Sequence, residues 1–257
     1  MNDTKKPYLA ATINVLAIGF MLLLNYLAAS GKISGMDMAT LSRKYDTLIT
    51  PAGYAFSIWG FIFLMLILLT VFQWIRISDP NATVHRVTSF WLPVSHLANG
   101  AWVVVWSLEW LWLSVIVMGI LLFSLINMAA KIAKIQEAHQ SSNFIFVAIP
   151  IAVYLGWVTI ATVVNIAAVL GSYGWFDGAY WAVVGILAIA AFIYLYVMRL
   201  PYLGAVGITG AWATTAIAVR FWHTEPVSAW SGIVIAAILL TAWIYKSIER
   251  LKKLKRN

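Results

Sequence analysis

Apolar positions along the chain gather into eight long runs, at roughly residues 8–29, 53–76, 88–107, 110–131, 144–170, 179–198, 201–219 and 228–247. Each comes close to the roughly 20 residues that an α-helix needs to cross a bilayer, and none shows the ten-residue alternation of a membrane barrel strand. The pattern therefore predicts a polytopic all-α membrane protein with eight spans. Two runs meet at Glu109 with almost no loop, and because one helix of their joint length would not fit a bilayer, a turn is expected there. The longest connection, residues 30–52, carries Asp37, Arg43, Lys44 and Asp46 and reads either as a lid or as a flexible linker. Ser141, Ser142 and Asn143 offer an N-cap for the fifth span, and the glycines at 171 and 174 a stop.

Within the runs, polar and aromatic residues recur at helical spacing. Phe56, Trp59 and Phe63 fall at i, i+3 and i+7 behind Pro51 and Gly53, which suit a helix entry, and predict one aromatic face. On the third span His96, Asn99, Val103 and Trp106 form a stripe flanked by Trp102. On the fifth, Pro150 marks a kink and Tyr154, Trp157, Ala161 and Asn165 share a face. The first span turns Asn14 and Asn25 to the same side. Amides in hydrocarbon commonly join helices, which accounts for Asn14 and Asn25; beside indoles and the small Gly100 and Ala161, Asn99 and Asn165 read equally as lining a cavity. His96 reads either as a hydrogen-bonded packing residue or as a ligand, with an axial contact to a haem iron as one form of the latter. Most of the tryptophans, and Glu109 among them, are ordinary interfacial residues.

Composition narrows the picture. With 63% hydrophobic and 10% charged residues and a mean hydropathy of +0.88, the chain belongs in a bilayer. Its net charge of +8 does not call for nucleic acid, since six of the seventeen basic residues crowd the C-terminal end, where they face an anionic leaflet. Thirteen Lys and Arg fall on the side of the N-terminus and four on the other, which places both termini in the cytoplasm and favours an even number of spans in an inner or plasma membrane. The first run is too long for a signal-peptide core and reads as a span. No cysteine is present, which removes thiolate metal sites and cysteine nucleophiles. Phosphate loops, zinc helices and serine elbows are absent too, and the nine acidic residues lie near span ends or in loops, so no catalytic residue or metal site is expected.

Three motifs then line up in order: Pro51 to Trp59; Asn99-Gly100-Ala101-Trp102; and Pro150 followed by Tyr154, Gly156, Trp157, Ala161 and Asn165. Together they resemble the tryptophan-rich sensory protein / translocator protein (TspO/MBR) family over about residues 8–170. The resemblance implies a five-helix bundle, here residues 1–171, with three added membrane helices in residues 172–257, where Ala, Ile and Gly replace the dense Trp and Phe. It further implies a pocket for tetrapyrroles such as protoporphyrin IX and, in some members, sterols. Light-dependent porphyrin breakdown enters only through the resemblance. The ligand-binding residues expected are Phe56, Trp59, Phe63, His96, Asn99, Trp102, Trp106, Tyr154, Trp157, Ala161 and Asn165. The Trp-Tyr pair and double proline usual in the family's first loop are missing here.

A transporter of an amphipathic molecule, using the three extra helices, and a ligand-free scaffold are the competing readings. Gly204, Gly207, Gly210 and Ala211 suit close helix packing, either to hold the added helices or as a homodimer face.

Overall fold

The computed structural model describes residues 6–79, 82–88, 90–138, 145–175, 180–200 and 203–254, and no strand occurs among them. The helices are α1 (Lys6–Ala29), α2 (Met38–Lys44), α3 (Ile58–Ile75), α4 (Thr83–Thr88), α5 (Trp91–Ser107), α6 (Leu111–Ala138), α7 (Ile145–Gly171), α8 (Tyr180–Met198), α9 (Ala205–Phe221) and α10 (Pro226–Leu254). Apart from the short α2 and α4, these helices lie where the eight apolar runs place them. Among the described residues five segments are long and apolar enough to cross a membrane: Pro7–Ala29, Gly53–Ile75, Leu111–Ile135, Ile145–Gly171 and Pro226–Glu249. The cap expected at 141–143 lies outside the described residues.

The second run opens on a tighter turn than the α-helix that follows it. Pro51 and Ala52 precede a 3-10 segment, Gly53–Ser57, and the α-helix starts only at Ile58.

By contacts the chain divides into two compact units, Met1–Lys44 with Ser57–Ile151, and Tyr45–Phe56 with Ala152–Asn257. In the first unit α1 packs on α3 and α5, and α5 on α6. Amides join these helices: buried Asn14 Nδ2 donates to Gln73 Oε1 at 2.8 Å, and half-buried Asn25 Nδ2 to Asn99 Oδ1 at 2.8 Å. Gly100 lets α1 come close, since a Cβ there would sit 3.0 Å from Leu24 Cδ1 and 3.5 Å from Met21 Cα. Glu109 makes the tight turn between α5 and α6 with a φ of 60°. Trp110 N–H donates to the Val105 carbonyl at 2.9 Å across that turn, and Lys44 at the end of α2 pairs with the Glu109 carboxylate.

In the second unit α7 is buried continuously from Ile151 to Ile160, as suits a helix that is apolar all round. It meets α9 at Gly156, where a Cβ would lie 2.8 Å from Thr209 Cβ and 3.0 Å from the Val206 carbonyl oxygen. The glycine stripe of α9 is used within the chain: Gly204 lies against Trp243, and Gly210 against Tyr194 and Leu239. On α10, Gly232 faces the Thr214 carbonyl oxygen, 2.5 Å from where its Cβ would be.

Candidate functional site

The first unit holds a row of aromatic rings that begins on the first turn of α3. Trp59 stacks on Phe63, one turn further on, with centroids 5.5 Å apart and planes at 25°. Across to α5, Trp59 meets Trp102 at 6.3 Å and 33°, and Trp102 stacks on Trp106 at 6.2 Å and 14°. These spacings fall within the range in which offset rings attract. Trp102 and Trp106 are buried, whereas Trp59 and Phe63 are half-buried. The row follows from sequence spacing: i, i+4 on each helix brings two rings together, and the facing helices supply the third contact.

Earlier on α5 stands the polar pair. His96 and Asn99 are both fully buried. Among the described residues neither ring nitrogen of His96 has a hydrogen-bond partner. Asn99 is half satisfied: its Oδ1 accepts from Asn25, which also donates to the Met21 carbonyl at 2.9 Å, and its Nδ2 has no partner. Asn99 thus joins helices as Asn25 does, with a donor to spare. A buried polar group left unmet costs about 1–3 kcal/mol, so such atoms need a reason.

The remaining predicted residues belong to the second unit. Phe56 sets its ring edge-on to Trp157 at 6.1 Å and 82°. Tyr154 and Trp157 are almost wholly buried on α7, Asn165 is buried and Ala161 half-buried. Of the eleven expected residues, Trp59, Phe63, His96, Asn99, Trp102 and Trp106 are therefore gathered in one unit and Phe56, Tyr154, Trp157, Ala161 and Asn165 in the other.

Two features of the second unit have no counterpart in the sequence reading. Tyr194 on α8 donates its hydroxyl to the Gly156 carbonyl at 2.6 Å, one residue before Trp157. A tyrosine amid an apolar run was the available signal, but nothing in its spacing pointed to α7. Residues 45–56 form a strap along α9: Asp46 pairs with Arg220 at 2.5 Å, Ala52 N–H donates to the Ala216 carbonyl at 3.0 Å, and Trp212 Nε1 donates to the Ala55 carbonyl at 3.3 Å. Trp212, Ala216 and Arg220 are spaced i, i+4 and i+8 on one stripe. This stretch of the long connection is tied down along its length, and its last residue, Phe56, covers Trp157. Earlier in the connection Asp37 caps α2, accepting the Thr40 backbone N–H at 2.7 Å, a bond that holds its carboxyl below the usual carboxylate range.

No group of three metal-ligating side chains occurs among the described residues. A planar apolar guest is what the aromatic row could hold, face to face or edge to face. In comparison with known families, a model described as TSPO-like protein matches residues 11–245. The match runs beyond residue 170 and takes in the last three helices. No curated protein and no solved structure matches the chain.

Proposed function

Because the chain belongs to the family of TSPO-like proteins, an integral multi-pass membrane protein by its apolar helices, we propose that it binds a flat hydrophobic ligand, a tetrapyrrole such as protoporphyrin IX, along the aromatic row of its first unit. The observation that supports this is the contact of Trp59 with Trp102 and of Trp102 with Trp106, at 6.3 and 6.2 Å, extended by Phe63. Rings in file offer a stacking surface longer than any one side chain, and the half-buried Trp59 and Phe63 leave part of it accessible. Trp59, Phe63 and Trp102 would hold the plane of the macrocycle, with Trp106 behind them. When bound, a tetrapyrrole supplies a light-absorbing ring system; the indoles fix its plane and keep water from its faces. The role is that of a sensor or carrier.

In this reading all eight long helices cross the bilayer. The shorter α5 and α9, of 17 residues each, rise about 26 Å at roughly 1.5 Å per residue, close to the hydrocarbon thickness. An even count puts both termini on the side rich in Lys and Arg, the cytoplasmic face of an inner or plasma membrane.

The test is a titration of the purified protein with protoporphyrin IX, followed by tryptophan emission. Saturable quenching is the expected result. Quenching that rises linearly without saturating would remove the ligand reading.

A further inference from the structure

His96 and Asn99 leave a specific set of hydrogen-bonding atoms unmet on the buried side of α5. Both residues are 0% exposed, and His96 Nδ1, His96 Nε2 and Asn99 Nδ2 have no partner among the described residues. A neutral imidazole presents one donor and one acceptor, and an amide nitrogen two donors. Positions three apart on a helix have their Cβ atoms about 5–6 Å apart, so one small group can reach both side chains.

The count of donors and acceptors selects the guest. Three N–H donors and a single acceptor nitrogen call for an oxygen group that accepts several hydrogen bonds and gives one. A carboxylic acid or an alcohol does this. An ester or ketone only accepts, leaving the imidazole acceptor unmet, and an ammonium only donates. Ionised groups are excluded on cost at this depth, so an acid must enter with its proton.

Its surroundings define the rest of the guest. Along α5, His96 and Asn99 are followed at helical spacing by Trp102 and Trp106, the far end of the aromatic row. From position 96 to 106 the helix rises about 15 Å. A molecule with a flat apolar body and one protonated oxygen at its edge matches that sequence of surfaces, polar end to aromatic end.

We propose that His96 and Asn99 form the docking point for a protonated oxygen, the un-ionised carboxylic acid or hydroxyl at the edge of the ligand. This rests on the ligand reading above. Asn25 is the positioning residue: by engaging Asn99 Oδ1 at 2.8 Å it fixes the amide with its nitrogen free to donate.

The experiment compares protoporphyrin IX, a diacid, with its dimethyl ester, which keeps the macrocycle and loses the O–H donor. Both are titrated into the full-length protein and into His96→Leu, with tryptophan quenching as the readout. Wild type is expected to bind the diacid at least tenfold more tightly than the diester. In His96→Leu that ratio falls towards one through weaker diacid binding, while the diester affinity stays within about twofold. Equal affinities in wild type, or a ratio that survives in His96→Leu, would overturn the docking point while leaving the aromatic row intact. Failure of both compounds to quench saturably would instead remove the ligand reading, and this inference with it. The melting temperature of the ligand-free protein gives a second measure: loss of an unmet buried ring should raise it in His96→Leu, whereas an imidazole with a structural role would make the variant less stable and overturn the proposal.

Discussion

Asn25 on α1 and Asn99 on α5 meet through a hydrogen bond of 2.8 Å from amide nitrogen to amide oxygen, 74 residues apart in the chain. With Asn14 and Gln73, they give α1 two polar attachments eleven residues apart on one side, one to α3 and one to α5. In a membrane such bonds are worth about 0.6 kcal/mol each and at most about 1.7, because the separated helices find other partners. A double-mutant cycle with Asn25→Leu and Asn99→Leu, measured by unfolding in detergent, is expected to give a coupling energy in that range. Additive effects would mean that the two amides do not interact.

Glycine replacements should separate close-packed positions from open ones. Gly232→Ala places a Cβ about where the Thr214 carbonyl oxygen approaches to 2.5 Å, so backbone must shift, and a cost of about 1–3 kcal/mol is expected. Gly119→Ala, on α6, meets nothing within 4 Å and should stabilise by about 0.5–1 kcal/mol through helix propensity. Thermal unfolding of the two variants should therefore move in opposite directions.

The strap can be loosened without unfolding the unit. Arg220→Gln removes the ion pair with Asp46; because both side chains are partly exposed, the global cost should be no more than about 1 kcal/mol. The local effect is larger in kind: the Ala52 amide, bonded to the Ala216 carbonyl, should exchange its hydrogen faster in the variant. Raising salt on wild type should move it in the same direction. An unchanged exchange rate for Ala52 would show that the ion pair does not hold the strap.

Acid should release the cap of α2. The Asp37 carboxyl is lowered mainly by the Thr40 backbone N–H it accepts, so its contribution is fully present above the unfolded carboxylate value of about 3.9 and is lost as pH falls through the lower folded value. Exchange at Thr40 should accelerate only in that acidic window. In Asp37→Ala, which is expected to cost α2 about 1 kcal/mol, exchange should be fast at every pH.

Hydrophobic pattern made the eight long helices readable, because a bilayer demands long apolar runs and α-helical backbone pairing. The polar and aromatic positions of α5 were legible as buried ones: His96, Asn99, Trp102 and Trp106 fall at helical spacing, and all four are buried. The entry to the second run was less legible: Gly53–Ser57 winds as a 3-10 segment before the α-helix begins at Ile58, which no spacing argument detects. The strap and α2 escaped the reading because their order depends on partners far along the chain, Arg220, Ala216 and Trp212 for one and Glu109 for the other. Gln73, a lone amide in an apolar run, was a missed partner that polarity alone could have flagged.

Replacing Trp59 tests the account most directly. Trp59→Leu removes the half-buried indole that links Phe63 to Trp102, and Trp175→Leu removes one that is 71% exposed and lies outside the row. Titrated with protoporphyrin IX, Trp59→Leu is expected to bind at least tenfold more weakly than wild type, about 1.4 kcal/mol, and Trp175→Leu as well as wild type. Equal affinity in all three proteins would contradict the claim that the aromatic row is the binding surface.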